Sequence, residues 1–509
     1  MGRLALLSVS DKTGLVDFAR QLVTEFDFEL ISSGGTAKAL QTAGIAVTPV
    51  SNYTGAPEIL GGRVKTLHPR IHGGILVRRD RPEDLQELAA NDIRPLDLVV
   101  VNLYPFEQTI AQPDVSEAAA IENIDIGGPT LLRAAAKNHA HLTVLCRPEH
   151  YGAYLDELRA QSGDVSLAFR RARALEGFEM TATYDRAIAT YFAQLADADT
   201  PFTLTGTPQQ TLRYGENPHQ AATWYRTSAS GWTTAKKLQG KELSYNNLVD
   251  LEAARRIIAE FPPDEPAAAV LKHTNPCGAA TGTTLLNAYQ RALTADPISA
   301  FGGIVALNQP LDAATAAALT ETFLECVVAP SCEPDAQAIL AKKKNLRVLL
   351  LPDLAQGPTE TVKVIAGGFL VQASDDLPSV PTDWQFVTEK QPTTAQIAEL
   401  QFAWRLVKHV KSNAIVLTRD RATIGIGAGQ MNRVGAAQIA LAQAGDAAQG
   451  ACLASDGFFP FDDTVRAAAA AGIAAVIQPG GSIHDSDSIT AANELGLVMA
   501  IAGSRHFLH

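Results

Sequence analysis

Residues 4–9 read LALLSV and lead directly into SDKTG at residues 10–14, so an apolar run is followed by a polar turn that contains glycine. Three further apolar runs, FELISS (28–33), LDLVVVNL (96–103) and LTVLC (142–146), occur before residue 147. Helix-like segments lie between the runs, for example at residues 14–24 and 36–43. Strands that alternate with helices are typical of a parallel sheet. We therefore predict an α/β domain over residues 1–147.

The remaining residues divide into two parts by their pattern. Residues 148–198 carry helical periodicity with mixed charge, which predicts a helical connector, and the Thr- and Pro-rich segment 199–210 is the best candidate for a linker. The α/β pattern then resumes over residues 199–509, and a helix is predicted at residues 433–444. We expect two related α/β lobes, at about 199–370 and 371–509, with an irregular, proline-punctuated stretch at 342–392.

Composition limits the class of protein. The chain has 509 residues, 46% of them hydrophobic, and a net charge of -12, which fits a soluble globular protein of several domains. A negative net charge argues against nucleic-acid binding through a general basic surface and leaves room for a local pocket for a small anion. The pattern of a signal peptide or a membrane-spanning run is not recognised. Five cysteines without a C-x-x-C pair argue against a disulfide framework or structural zinc, so we expect a cytosolic protein.

Two strand-to-helix turns of the first domain, SVSDKTG and SSGGT, are candidates for anion binding. Backbone N–H groups and hydroxyls at such turns bind phosphate, because a helix N-terminus carries partial positive charge. The alternative is a pair of ordinary loops capped by Asp11 and Thr36. The stretch GGRVKTLHPRIHGG supplies four more basic groups, and this clustering favours anion binding: Arg63, Lys65, His68 and Arg70.

Candidate catalytic groups follow. Tyr104 ends a buried strand, Asp125 precedes a Gly-Gly turn, and Lys137 lies late in the next helix. Such donors and acceptors suit a reaction with a tetrahedral oxyanion intermediate, although each alone also fits packing or a solvated charge. Lys272 and His273, in LKHTNPCGAA (271–280), come between a strand and an expected Asn-Pro turn. They indicate either a surface turn or a proton-transfer pair.

These motifs, taken together, resemble a known family. SVSDKTG, SSGGTAKAL, LGGRVKTLHP, NLYPF, IDIGG, LRAAAKNH, RYGENPHQ, LSYNN, KHTNPCG, GIGAGQ and SDGFFPF occur in its order over essentially the whole chain. The family combines 5-aminoimidazole-4-carboxamide ribonucleotide (AICAR) formyltransferase with inosine monophosphate (IMP) cyclohydrolase. The resemblance implies a methylglyoxal-synthase-like N-terminal domain and a transformylase region of two cytidine-deaminase-like lobes. The zinc motif of the deaminases is not recognised here, so no metal is expected.

The resemblance also implies residue roles. His273 would take the amine proton, Lys272 would stabilise charge, and Asn413 would orient the reacting groups. Nucleotide binding would fall to Arg213, Tyr214, Gly302, Glu325, Arg433 and Arg505, and folate contacts to Phe458 and Asp463. Glu325 stands where the family pattern has aspartate. In the first domain, phosphate and ribose would be bound by Ser10, Lys12, Thr13, Ser33, Gly34, Thr36, Arg63 and Thr66. Ring closure would use Lys65, Tyr104, Asp125 and Lys137.

The implied partners are small molecules. They are AICAR, formyl-AICAR and the co-substrate 10-formyltetrahydrofolate, and the family implies a homodimer. Two other functions are considered. A dinucleotide-dependent oxidoreductase would use GIGAGQ (425–430) as its cofactor loop, but the spacing is not G-x-G-x-x-G. A non-catalytic nucleotide sensor would keep the phosphate-binding turns and would not need the catalytic groups together.

Overall fold

The computed structural model describes residues 2–198, 201–377 and 384–509. The chain divides into two compact units, Met1–Thr203 and Leu204–His509, called unit one and unit two below. Residues 199 and 200 of the predicted linker lie outside the described residues. Within the described ranges, the search for a helix long and apolar enough to cross a membrane finds none.

Unit one contains one five-stranded parallel sheet flanked by helices. Its strands are β1 (Arg3–Val9), β2 (Phe28–Ser32), β3 (Thr48–Pro49), β4 (Leu98–Asn102) and β5 (Thr143–Leu145). Its helices are α1 (Leu15–Phe26), α2 (Gly34–Thr42), α3 (Val50–Thr54), α4 (Pro69–Leu76), α5 (Pro82–Ala90), α6 (Phe106–Ile110), α7 (Glu117–Glu122), α8 (Gly127–Lys137), α9 (Tyr151–Ala160) and α10 (Leu167–Leu195).

The strand order β3-β2-β1-β4-β5 explains where a site forms in unit one. Successive strands extend from β1 to one side, through β2 and β3, and then to the other side, through β4 and β5. The chain thus reverses its direction of growth between β1 and β4. In open α/β sheets, ligands bind at the carboxyl ends of the strands beside such a reversal. The turns after β1, β2 and β4 are therefore brought together.

The helices of residues 148–198 pack within unit one. Tyr151 and Tyr154 of α9 belong to the core beside the sheet, and the Tyr151 ring stacks on Phe18 of α1 at 4.3 Å between centroids. Ala174 of α10 lies in the core on the other face of the sheet. The segment predicted as a connector thus buries apolar side chains against the first domain, which is the physical reason for a unit longer than residues 1–147.

Unit two begins with a short hairpin and then forms a twelve-stranded sheet. Its strands are β6 (Thr207–Leu212), β7 (Ala222–Arg226), β8 (Lys236–Gln239), β9 (Ala267–Lys272), β10 (Asn275–Thr281), β11 (Gly303–Leu307), β12 (Leu324–Ala329), β13 (Arg347–Leu350), β14 (Glu360–Ile365), β15 (Gly368–Ala373), β16 (Gln385–Phe386), β17 (Ile415–Arg419), β18 (Ala422–Gly427), β19 (Cys452–Ser455), β20 (Ala475–Gln478) and β21 (Val498–Ile501). Its helices are α11 (Tyr245–Ile258), α12 (Leu285–Ala295), α13 (Ala313–Leu319), α14 (Pro334–Leu340), α15 (Thr394–Val407), α16 (Arg433–Ala444), α17 (Asp463–Ala470) and α18 (Asp485–Glu494).

The large sheet consists of two structural repeats. Repeat one runs from β8 to β13, and repeat two runs from β16 to β21; each has the same succession of strands and helices. The pairings match as well, since each repeat has an antiparallel hairpin at its centre and two parallel pairs beside it. Strands β10 and β18 join the repeats in antiparallel fashion, with Ala280 opposite Ala422. The two predicted lobes thus share one continuous sheet.

Two features of unit two differ from the sequence-based expectation. Residues 342–392 were expected to be irregular, but they contain β13 and the antiparallel hairpin β14–β15; residues 378–383 lie outside the described residues. The expected Asn-Pro turn is also wrong, because Asn275 and Pro276 begin β10 and pair with β9. The predicted helix at residues 433–444 is confirmed as α16.

The glycines of GIGAGQ serve strand–helix packing. A Cβ at Gly427 would lie 1.9 Å from the carbonyl oxygen of Ala436, and one at Gly425 would lie 2.1 Å from that of Ala440. Both carbonyls belong to α16, so the helix backbone packs directly on β18. Gly278 of β10 approaches Ala292 of α12 in the same way, at 2.2 Å. These glycines thus have a structural function in each repeat.

Candidate active sites

A cavity of about 550 Å³ lies at the carboxyl ends of β1, β2 and β4 in unit one. The N-terminal residues of two helices line it, Gly35 and Thr36 of α2 and Gly127 and Gly128 of α8. Both helix ends bring partial positive charge and free backbone N–H groups to the cavity. The predicted site residues that line it are Ser10, Lys12, Ser33, Thr36, Arg63, Lys65, Thr66, Tyr104 and Asp125.

The turn after β1 is held by a residue for which the sequence suggested no role. The Asn102 side-chain oxygen accepts hydrogen bonds from the backbone N–H groups of Ser10, at 2.6 Å, and Asp11, at 2.9 Å. Asp11 in turn accepts from the hydroxyl of Thr13 at 2.7 Å. Thr13 thus stabilises the turn beside the cavity, whereas Asn102 lines the cavity itself. A polar residue at the end of the apolar run LVVVN was the signal for Asn102.

The helix-capping alternative for Asp11 and Thr36 is wrong. Helix α1 begins after Gly14 and α2 after Ser33, and neither residue makes a side-chain cap. Thr36 instead exchanges hydrogen bonds of 3.0 Å with the backbone N–H and carbonyl of Val9, so it ties α2 to the end of β1.

The basic cluster after α3 divides into two groups. Arg63 and Lys65 line the cavity, and Arg63 forms an exposed ion pair with Glu122. A Cβ at Gly34, which has a φ of 53°, would lie 2.9 Å from the Lys65 amine, so Gly34 leaves space for that amine. His68 caps α4 through its Nδ1, and Arg70 donates to the carbonyl of Tyr53 at 3.1 Å. His68 and Arg70 therefore have structural contacts.

Tyr104 and Asp125 form the acid–base part of the cavity. Burial raises the pKa of the Asp125 carboxyl, although the backbone N–H groups of Gly128 and Tyr104 and the charge of Lys65 oppose the shift. Burial also raises the pKa of Tyr104, and the neighbouring carboxylates of Asp125 and Glu122 raise it further. Asp125 is held in place because its Oδ1 accepts from Gly128 N–H at 2.8 Å. Tyr104 thus keeps its proton for donation, and Asp125 can exchange one.

Lys137 lies away from this cavity. It is exposed and is the last residue of α8, whereas Gly127 at the cavity is the first. A helix rises about 1.5 Å per residue, so the two ends are about 15 Å apart. The helix geometry therefore separates Lys137 from Lys65, Tyr104 and Asp125 of the same chain.

In unit two, His273 lies at the tip of the hairpin between β9 and β10. His273 and Thr274 have positive φ angles, 52° and 64°, because a two-residue hairpin turn requires left-handed backbone. The Asp250 carboxylate accepts from Thr274 N–H at 2.8 Å and anchors the turn. Burial raises the pKa of Asp250, while this bond and the charge of His273 oppose the shift. The His273 side chain is exposed.

The same turn contacts repeat two. Asn275 accepts from the N–H of Lys411 at 3.3 Å, two residues before Asn413. Asn413 accepts from Arg433 at 2.7 Å and donates to the carbonyl of Gln430 at 2.8 Å. Arg433 is 6% exposed and also pairs with Asp456, which is fully buried. The hairpin tip of repeat one and the Asn413–Arg433 pair therefore share one edge of the sheet.

Gly302 and Glu325 follow the same edge. Lys272 donates to the carbonyl of Phe301 at 2.8 Å, next to Gly302. The register places Gly303 of β11 opposite Leu324 of β12, so Glu325 is one residue further along. Glu325 forms a 2.6 Å ion pair with the largely buried Arg347, which leaves part of its carboxylate accessible. Lys272, Gly302 and Glu325 thus lie along one row of strand ends.

The remaining predicted residues lie in surrounding loops of unit two. Arg213 stacks over the ring of the adjacent Tyr214, 5.4 Å from its centroid, after β6. Asp463 is the first residue of α17, and Phe458 is half-buried in the loop before it. Arg505 stacks on Phe507 at 4.7 Å in the C-terminal segment. These contacts describe each residue locally.

One group among the described residues has the spacing of a metal site: Glu149, His150 and Glu176. Glu176 already accepts hydrogen bonds from His150 at 2.9 Å and Arg173 at 2.9 Å, and Arg147 lies 3.1 Å away. Two arginines neutralise the carboxylate, so these residues are explained by ion pairing.

The fold and the two sites define an enzyme with two separate centres, one for a small anionic ligand with acid–base groups beside it. Two family models match the chain: "AICARFT/IMPCHase bienzyme" over residues 135–443 and "MGS-like domain" over residues 14–130. Proteins named "Bifunctional purine biosynthesis protein PurH" from Rippkaea orientalis, Microcystis aeruginosa and Synechocystis sp. are each 68% identical, over 100% of both chains.

The chain belongs to the AICARFT/IMPCHase bienzyme family. It is a bifunctional enzyme of purine biosynthesis, an AICAR formyltransferase and IMP cyclohydrolase, and its N-terminal region is methylglyoxal-synthase-like. The family assignment confirms the resemblance and excludes the oxidoreductase and the sensor as the function. The likeness of each repeat to cytidine deaminases stays a prediction.

Proposed function

We propose that unit one closes the purine ring and that unit two transfers the formyl group from 10-formyltetrahydrofolate. The observation that supports this division is the cavity of unit one, where Lys65, Tyr104 and Asp125 meet two helix N-termini. A formyltransferase needs a one-carbon donor of the folate type, and the 10-formyl derivative is the donor proposed here.

In formyl transfer, the 5-amino nitrogen of AICAR forms a bond to the formyl carbon, and the bond from that carbon to folate N10 breaks. The amine loses a proton and N10 gains one. The amine is a poor nucleophile because its lone pair is delocalised, so a base is needed. We assign proton removal to His273, charge stabilisation to Lys272 and orientation of the formyl oxygen to Asn413. The exposed imidazole of His273, on an anchored turn, supports this assignment.

Substrate binding in unit two is assigned to the surrounding side chains. Guanidinium groups suit a phosphate because they form paired hydrogen bonds to its oxygens. The proposed nucleotide contacts are Arg213, Tyr214, Gly302, Glu325, Arg433 and Arg505, and the proposed folate contacts are Phe458 and Asp463. Glu325 would accept from a ribose hydroxyl, through the part of its carboxylate that Arg347 leaves accessible.

In ring closure, the carboxamide nitrogen of formyl-AICAR attacks the formyl carbon, and water is then lost to give IMP. Lys65 and Tyr104 would donate hydrogen bonds to the formyl oxygen, and Asp125 would accept the amide proton. Holding both groups in attack geometry can supply about 7–11 kcal/mol of the barrier. Phosphate and ribose would be bound by Ser10, Lys12, Thr13, Ser33, Gly34, Thr36, Arg63 and Thr66. Lys137 is left out of this step because of its distance along α8.

We also propose a cytosolic homodimer that binds these small molecules. Large apolar side chains are exposed beside the candidate site of unit two, with Ile298 87% exposed and Met431 92% exposed. Exposed apolar surface next to a site favours an interface with a second copy. Sedimentation at assay concentration should give a dimer, and an active monomer there would contradict the proposal.

The two-site proposal is tested by separate variants in the two units. His273→Ala should lower formyl transfer by roughly 10²–10⁴, the usual loss for a general acid–base group. Cyclisation of supplied formyl-AICAR should stay near the wild-type rate. Asp125→Ala should do the opposite, so that formyl-AICAR forms and accumulates.

Each variant is the folding control for the other, because each retains one activity. His273→Gln adds a conservative control that keeps a polar side chain and removes the basic ring. Equal loss of both activities in well-folded His273→Ala protein would show that the turn is structural.

A further inference from the structure

Asp456 of repeat two occupies the same position as Asn308 of repeat one. Each residue directly follows the third strand of its repeat, β19 or β11. Asp456 N–H donates to Ala414 at 3.3 Å, and Asn308 N–H donates to Ala267 at 3.3 Å. The side chains repeat the contact in reverse, since Asp456 accepts from Ala414 N–H at 3.0 Å and Asn308 accepts from Ala267 N–H at 2.8 Å. An uncharged amide therefore suffices for the structural contact.

The charge of Asp456 has a different set of partners. Its two oxygens accept hydrogen bonds from Arg433 and from the Ser412 hydroxyl, and it is fully buried. Arg433 is the first residue of α16, and the equivalent first residue of α12 is Leu285. Repeat one thus has an apolar residue and an amide where repeat two has an ion pair.

The ion pair is directed at the candidate site. Arg433 uses one nitrogen for Asp456 and Ser455, at 2.9 Å from the latter, and the other for Asn413 at 2.7 Å. Ser412, held by Asp456, is adjacent to Asn413. Burying two charges is unfavourable unless they are paired, so a stability role alone does not explain why this repeat carries them.

We infer that Asp456 is a positioning residue for formyl transfer, which holds the Arg433 guanidinium and the segment 412–414 so that Asn413 faces the reacting groups. This inference rests on the proposed function of Asn413 and Arg433. A displacement of about 1 Å at such a group can lower the rate by roughly 10²-fold.

The test compares Asp456→Asn with Asn308→Ala in the full-length enzyme. Asp456→Asn keeps the acceptor for Ala414 N–H, as Asn308 does for Ala267, and removes only the charge. We expect kcat/KM for formyl transfer to fall roughly 10²-fold, with a raised KM for AICAR, an unchanged KM for the folate and unchanged cyclisation. Asn308→Ala should lower the melting temperature and leave both KM values unchanged. Asp456→Glu, which restores the charge, should recover part of the loss.

The inference is overturned if Asp456→Asn has wild-type kinetics, or if it loses only thermal stability, as Asn308→Ala does. If Asp456→Asn does not fold, the double variant Arg433→Met/Asp456→Asn decides. Folding of the double variant supports a charge kept for Arg433, and its failure to fold means that Asp456 is structural. Absence of formyl transfer in the wild-type enzyme would instead refute the proposed function.

Discussion

Gly427→Ala tests the close packing of α16 on β18. The new Cβ would lie 1.9 Å from the Ala436 carbonyl oxygen, whereas ordinary contact begins at 3.4 Å. The helix must therefore move by about 1.5 Å, because the clash is with backbone. Overpacking of this kind costs about 1–3 kcal/mol, and a backbone clash favours the upper value. At 2–4 °C per kcal/mol, the melting temperature should fall by roughly 5–10 °C.

The same movement should affect catalysis in unit two. Helix α16 begins at Arg433, three residues before Ala436, so its displacement moves the guanidinium from Asn413. Formyl transfer should fall by roughly 10²-fold, while cyclisation by unit one should not change. The assays are thermal unfolding and the separate rates of the two reactions.

Gly368→Ala is the matched control for this substitution. Its added Cβ would meet no atom within 4 Å, and Gly368 lies in β15 of the same unit. If Gly427→Ala melts with the control and transfers the formyl group at the wild-type rate, the packing explanation of GIGAGQ is refuted.

Three further outcomes are expected. Lys65→Met should move the acidic limb of the cyclisation pH profile to higher pH, because burial already raises the pKa of Asp125 and Lys65 opposes that shift; an unmoved limb would argue against Asp125 as the base. Burial would raise the pKa of Glu260, but hydrogen bonds from His409 and Lys408 outweigh it and lower the pKa to about 2. That stability is present above the ordinary Glu value and is lost as pH falls toward 2. In Glu260→Gln, urea midpoints should therefore be lower at pH 7 and change less between pH 5 and 3; an unchanged difference would contradict the assignment. A fragment of residues 1–203 should fold and cyclise formyl-AICAR, since it has its own sheet and cavity; a folded fragment that is inactive by the absorbance of IMP would count against this.

Local sequence patterns predicted those parts of the fold that depend on near neighbours. The run LALLSV with SDKTG indicated β1 and its turn, and the helix at residues 433–444 was confirmed. The same patterns placed Lys65, Tyr104 and Asp125 near strand ends, where the structure brings them around one cavity. Periodicity and turn chemistry arise within a few residues, so they can be recognised without the rest of the chain.

Long-range strand pairing decided the rest. The antiparallel pair of Ala280 with Ala422 brings the His273 turn beside Lys411 and Asn413, although these residues are far apart in sequence. The exposed strands β14 and β15 have no strong apolar alternation and were missed, and helix length separated Lys137 from the cavity. The sequence by itself determined the strands, the turns and the kinds of catalytic group. Only the tertiary structure decided which groups meet, because the register of a sheet depends on all of its strands packing together.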